Sequence, residues 1–195
     1  LLRRLAPEAV DRVDFTGTHA FARRILQDRG VHFKLDPAGS REAFDVAWRQ
    51  VGAKSVLGNG TKDHDYWADE IEHVIKGRGI TQFEHYADLT RTGRRHPLNL
   101  HGRQAVWELY CAYDAELRKR GINDFADLVL LAEAELRRKP MVGVYSAVIV
   151  DEAQDLSCAM IRLLHSLVGD EPDGFTLIGD GQQSIYPGGY TLAEA

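Results

Sequence analysis

Two short apolar runs, Ala147-Val148-Ile149-Val150 and Phe175-Thr176-Leu177-Ile178, constrain this chain more than any other feature. Each is bounded by turn residues, and a continuous apolar run of that length reads as a strand buried on both faces. Between them Ile161, Leu164 and Val168 recur at helical spacing. Strand, helix and strand in succession predict parallel neighbours joined by a right-handed crossover. In such a sheet, ligands sit beyond the carboxyl ends of the strands. Both ends are polar: Asp151-Glu152-Ala153-Gln154-Asp155 follows the first run, and Gly179-Asp180-Gly181-Gln182-Gln183-Ser184-Ile185-Tyr186 follows the second.

Adjacent carboxylates at the end of a strand can divide two tasks. One can hold Mg²⁺, directly or through water, while the other polarises an attacking water. Burying both without a cation would be costly. Asp180 and the glutamines behind it supply donors and acceptors at the same edge, and a neutral glutamine can sense a γ-phosphate without adding charge. Taken singly, an Asp-Glu pair is common and a polar turn is ordinary. Their placement after consecutive strands is what favours a nucleotide-handling edge.

Upstream, Val13-Asp14-Phe15-Thr16 reads as a short strand, turning through Gly17-Thr18-His19 into a helix with Phe21, Ile25 and Leu26 on its apolar face. Thr18, His19 and the unpaired N–H groups of a first helical turn could face a phosphate, or Thr18 could simply cap the helix. From about 31 to 102 the pattern is helical. Phe44, Ala47, Trp48 and Val51 share a face over Arg41 to Leu57; Trp67, Ile71, Val74 and Ile75 do so over Tyr66 to Lys76; a further helix is expected over Thr81 to Thr92. These aromatic stripes read as core. Val106, Tyr110, Tyr113 and Leu117 mark the next helix, stopped by Gly121. Asn123 or Asp124 then caps another, with Phe125, Leu128, Leu131 and Leu136 inward and Pro140 closing it.

The 195 residues, 44% hydrophobic and 27% charged, suit one compact domain or one domain carrying an insertion. A net charge of −5 argues against a wholly basic surface for duplex DNA, yet a single strand needs only a local groove. The basic runs at Arg91 to Arg95, Arg118-Lys119-Arg120 and Arg137-Arg138-Lys139 read as solvated helix ends. His64, His73, His85, His96 and His101 lack the close helical pairs that zinc requires. Cys111 and Cys158 fall in helical patterns and are expected to act as small apolar residues. No run could span a bilayer and no secretory signal is present, so no membrane association and a cytoplasmic location are expected. A leading leucine suggests an internal piece of a longer polypeptide.

The two polar clusters, in their order and spacing, resemble the UvrD/Rep-like branch of superfamily 1 DNA helicases. Asp124-Phe125-Ala126-Asp127-Leu128 resembles that family's Asp-Phe-x-Asp-Leu helix, and Thr16-Gly17-Thr18-His19-Ala20-Phe21 its Thr-x-His-Ser-Phe segment. The resemblance implies an α/β fold: a partial RecA-like P-loop NTPase domain, a parallel sheet with flanking helices, carrying an inserted all-helical subdomain. It implies that residues 1–30 and 104–195 belong to the first RecA-like domain and 31–103 to the insertion. The implied substrate is ATP with Mg²⁺, and the implied partners are single-stranded DNA and a second RecA-like domain of the same polypeptide. Asp151 would coordinate Mg²⁺, Glu152 would be the catalytic base, Gln183 would contact the γ-phosphate, and Asp180 would lie at the nucleotide site. Gln154 and Asp155 would couple the site to its surroundings, while Thr18, His19 and Tyr186 would lie along the DNA path.

Two departures stand out. Pro187-Gly188-Gly189-Tyr190 replaces the family's arginine and stacking tryptophan, which leaves Tyr190 as the available aromatic. No G-x-x-x-x-G-K-[ST] loop is present, and Gly52-Ala53-Lys54-Ser55 and Gly58-Asn59-Gly60-Thr61-Lys62 have its letters in the wrong order. The resemblance therefore implies a fragment of a 3′ to 5′ helicase or translocase, inactive in isolation. The alternatives are a binding or adaptor module that keeps the architecture without ATPase activity, and another P-loop enzyme such as a helicase-nuclease fusion.

Overall fold

The computed structural model of the chain describes residues 7–60, 63–91, 94 and 96–180. After a 3₁₀ turn at Pro7–Arg12, helix α1 spans Thr18–Asp28 and buries Phe21, Ala22, Ile25 and Leu26. Its N-cap is Gly17, with no side-chain cap bond, so Thr18 is the first helical residue and does not cap the helix. Val13–Thr16 joins no ladder among the described residues, and Phe15 is 75% exposed. Where a strand was expected, Asp14 instead pairs with Arg24 of α1 and accepts from the Tyr145 hydroxyl at 3.0 Å.

Helix α2 spans Pro37–Gln50. It starts earlier than its apolar face predicts, because the Asp36 carboxylate accepts from the Gly39 N–H at 2.8 Å and Pro37 sits in the first turn, where a missing N–H costs nothing. Helix α3, His64–Asp69, continues as a π-helical stretch, Glu70–Ile75, and a 3₁₀ turn, Lys76–Arg78, closed by Gly79 at φ 70°. Helix α4 is confined to Phe83–Asp88. Helix α5, Leu100–Arg120, ends as its glycine predicts, with Gly121 in the left-handed region at φ 63°. Helix α6, Phe125–Arg138, starts on a capping box in which the Asp124 and Asp127 side chains each accept from the other's backbone N–H.

Strand β1, Val148–Val150, helix α7, Cys158–His165, and strand β2, Phe175–Leu177, follow. The strands are parallel as predicted, with Val148, Ile149 and Val150 opposite Phe175, Thr176 and Leu177. They are not buried on both faces. Val150 is buried but Ile149 is 70% exposed, because the packed helices cover only one side of this ribbon among the described residues.

Two apolar cores form. Phe44, Trp67, Ile71, Tyr86, Leu109 and Leu117 draw α2 to α5 into the first. Leu26, Leu128, Leu136 and Leu163 join α1, α6 and α7 in the second. The chain passes from one to the other and back at a two-segment neck. There Leu35 and Asn123 form a parallel bridge, with Asn123 N–H donating to the Lys34 carbonyl at 2.7 Å and Asp36 N–H to the Asn123 carbonyl at 3.1 Å.

Three sequence expectations change here. Phe125 does not point inward; it is 39% exposed, with its ring edge-on to His19 at 5.1 Å. Cys111 is exposed, whereas Cys158 is buried as expected. Arg91 and Arg94 are not solvated: both are buried around Glu70, which is fully buried. Glu70 accepts from Arg91 at 2.5 and 2.7 Å, from Arg94 at 2.7 Å and from the Tyr86 hydroxyl at 2.8 Å. Basic residues close in sequence can point inward when one carboxylate collects them, and their spacing carries no sign of it. Arg118, Lys119 and Arg120 do pair along the exposed end of α5, with Asp114 and Glu116.

Burial alone would raise the Glu70 carboxyl pKa, but Arg91, Arg94 and Tyr86 outweigh it and hold the group below its ordinary value. Glu70→Ala leaves two buried guanidinium groups uncompensated and is expected to cost about 3–5 kcal/mol in urea unfolding at neutral pH. A carboxyl with a lowered folded pKa stabilises above its unfolded value and loses that contribution as pH falls through the folded one. The stability gap between wild type and Glu70→Gln should therefore narrow below about pH 4.3.

Candidate functional site

The carboxyl ends of β1 and β2 are joined by more than the strand ladder. Ile178 N–H donates to the Val150 carbonyl at 2.8 Å, and Ala153 N–H donates to the Ile178 carbonyl at 2.9 Å. The pairing thus runs past both strands and sets Asp151-Glu152-Ala153-Gln154-Asp155 beside Gly179-Asp180. Asp151 and Glu152 are exposed on this edge. Glu152 is in the left-handed region, φ 52° and ψ 41°, which a side-chain-bearing residue adopts only at a cost of about 1–2 kcal/mol. That turn lets Ala153–Asp155 fold back as a 3₁₀ turn, with Asp155 N–H donating to the Glu152 carbonyl at 2.9 Å.

Gln154 links both clusters. Its amide nitrogen donates to a Glu152 carboxylate oxygen, and its amide oxygen accepts from the Asp180 N–H at 3.0 Å. Gly179 is required by this contact, since a Cβ there would lie 2.3 Å from the Gln154 amide oxygen and 3.2 Å from the Ala153 and Gln154 nitrogens. Glu152 N–H also donates to Asp151 Oδ1 at 3.0 Å. The result is an exposed pair of hard oxygen donors on a backbone that hydrogen bonds hold from both strands. This donor type suits Mg²⁺ rather than a soft metal.

Asp155 faces the other way. Its Oδ1 is buried without a hydrogen-bond partner among the described residues, and the side chain lines a cavity of about 110 Å³ with His19, Lys76, Gly77 and Ser157. Burial lowers the pKa of His19, favouring the neutral ring. The structure thus gathers His19, the first turn of α6 and Asp155 at one junction, and Asp151, Glu152, Gln154 and Asp180 at the sheet edge. Thr18 is half-buried at the start of α1. Gln183, Tyr186 and Tyr190 lie outside the described residues. Sequence reasoning missed Lys76, which lines the same junction, and Arg162, which donates to the turn that carries it; neither stands in a motif.

The sequence matches the family described as the UvrD/REP helicase N-terminal domain over residues 2–188. The chain belongs to that family. It is 38% identical over 82 residues to the ATP-dependent DNA helicase Rep of Escherichia coli (strain K12), covering 40% of this chain and 12% of Rep. It is 33% identical over 194 residues to the ATP-dependent DNA helicase UvrD2 of Mycobacterium bovis, covering 91% of this chain and 27% of that protein. The ATP-dependent DNA helicase UvrD1 of the same organism is 36% identical over 94 residues, covering 43% of this chain and 12% of its own. The chain thus spans about a quarter or less of these curated relatives. Among the described residues no helix is long and apolar enough to cross a membrane.

Gly179→Ala tests the link between the clusters. The added methyl displaces the Gln154 amide, so exchange of the Asp180 N–H measured by NMR should speed at least about tenfold. The unfolding free energy should fall by about 1 kcal/mol or less, the scale of one lost exposed hydrogen bond.

Proposed function

We propose that this chain is part of the motor of an ATP-dependent DNA helicase or translocase that couples MgATP hydrolysis to movement along single-stranded DNA, in the 3′ to 5′ direction. The observation that carries the reading is the bridge by Gln154 between Glu152 and the Asp180 backbone at the open ends of two parallel strands. The second apolar core with its sheet is read as part of a RecA-like domain, and the first core as its inserted helical subdomain. The resemblance puts that insertion at 31–103; core membership of Leu109, Leu117 and Ile122 supports carrying it to the neck at Ile122.

In this reading Asp151 holds Mg²⁺, which when bound neutralises phosphate charge. Glu152 accepts a proton from the attacking water, a role that its exposed position and its tether to Gln154 support. Gln154 carries the state of Glu152 to the Asp180 loop, beyond which Gln183 is assigned to the γ-phosphate. Thr18, His19 and Tyr186 are assigned to the DNA path, and Asp155 to the coupling junction. In this reading a longer polypeptide supplies the phosphate-binding loop and a second RecA-like domain; the 195 residues contain no G-x-x-x-x-G-K-[ST] segment.

The 195-residue chain is accordingly expected to show no DNA-stimulated ATP hydrolysis; robust turnover by it would overturn the claim that parts are missing. In the longer protein, Glu152→Gln should leave nucleotide binding nearly intact and cut turnover on the order of 10²–10⁴-fold. A loss smaller than about tenfold would show that Glu152 is not the base. An adaptor that retains the architecture would bind DNA or protein in that longer form and hydrolyse no ATP.

A further inference from the structure

The turn that ends the π-helical stretch is where the two cores meet. Lys76 is 2% exposed, yet its ammonium lies 2.5 Å from Asp124 Oδ2 and 2.6 Å from Asp127 Oδ1. Tyr113 of α5 donates to the same Asp124 oxygen at 2.9 Å, with its ring centroid 5.4 Å from the ammonium. Lys76 and Tyr113 belong to the helical unit, and Asp124 and Asp127 to the first turn of α6 in the other. Burial alone would lower the Lys76 pKa, but the two carboxylates outweigh it and raise it. Asp127 moves up through burial and the charge of Asp124, and Glu72 moves up through burial. Lys76 of the helical unit thus faces two carboxylates of the first turn of α6.

The fit of this turn is close. A Cβ on Gly77 would lie 3.3 Å from the Ser157 Cβ and 3.1 Å from the Glu72 carbonyl oxygen. Gly79, at φ 70°, would place one 3.1 Å from Arg162 Nη2. Arg162 of α7 adds a second tie, donating to Glu133 of α6 at 2.8 and 3.1 Å and to the Arg78 carbonyl at 3.2 Å. Lys76 also lines the junction cavity with His19 and Asp155. A π-helical turn leads into this contact, a geometry concentrated at functional sites.

We propose that Lys76 is a positioning residue for coupling between ATP hydrolysis and single-stranded DNA. It fixes the helical unit to the first turn of α6 beside Asp155, so that a displacement after Glu152 reaches the helical unit instead of dissipating at the neck. The proposal rests on the helicase reading above. Lys76 touches neither carboxylate of the sheet edge, so hydrolysis itself does not need it.

The test uses the longer, phosphate-loop-containing protein. Lys76→Met should keep MgATP affinity, DNA-free turnover and the half-stimulating DNA concentration within about threefold while reducing maximal stimulation by single-stranded DNA at least about tenfold; Lys76→Arg, which keeps the charge, should retain at least about half of it. Undiminished stimulation in Lys76→Met, or equal loss of DNA-free and stimulated turnover, overturns the proposal. Should Lys76→Met fail to fold, Asp127→Asn keeps the Asp124 pair and should still lower stimulation at least about threefold; no change there overturns the proposal equally. Wild-type protein without DNA-stimulated turnover would sink the helicase reading and, with it, the coupling role. The Lys76 contact between the two cores would then be judged on the present chain by amide exchange at Leu128 and Ile80. It stands if Lys76→Met speeds both at least about tenfold with Leu109 unchanged, and falls if it does not.

Discussion

The sheet edge depends on the backbone pairing that continues after the strands stop. Ile178 both donates to Val150 and accepts from Ala153, so the residue before Gly179 is held from both directions. Two three-residue strands are too short to define a site by themselves. What fixes Glu152 is the further bond to Ala153, which anchors the chain on the far side of a left-handed residue. The unfavourable φ of Glu152 persists because hydrogen bonds on either side over-determine it.

Charge is handled differently in different parts of the molecule. At the sheet edge the carboxylates stay exposed, where a cation could reach them. Inside, Glu70 and Lys76 are buried, and each is offset by more than one opposite charge. Buried ion pairs add little stability compared with apolar packing of the same volume, because desolvation consumes most of the attraction. They do reject alternatives: Glu70 accepts in one arrangement of Arg91, Arg94 and Tyr86, and Lys76 fits one docking of the two cores. Apolar side chains supply the adhesion within each core, and the ionic contacts define how the parts are set.

The sequence was most legible where local rules decide structure. Gly121 stops α5 because only a left-handed residue ends it there, a cap was expected at Asn123 or Asp124 and falls on Asp124, and β-branched runs made the parallel pair. The sheet-edge residues were legible for the same reason, since strand ends are readable. Long-range partners were not. Nothing near Arg91 announces Glu70, twenty-one residues earlier, and Lys76 pairs with Asp124 across a separation of forty-eight. The half-exposed Phe125 and the exposed Ile149 show the same limit from the apolar side: periodicity says that a face is hydrophobic and leaves open what covers it.

Gln154 marks the point at which local and long-range determinants meet. The family resemblance assigns it only a general coupling role; in the fold its two amide ends face two different segments, one charged and one backbone. An ionised carboxylate could accept from the Asp180 N–H but not donate to Glu152, and a lysine could not accept at all. A neutral amide can do both without altering the charge of the edge. Gly179 supplies the space that this requires. The requirement for glutamine is thus set jointly by a carboxylate two residues away and by a backbone N–H twenty-six residues away, so this residue depends on the strands pairing before it can connect anything.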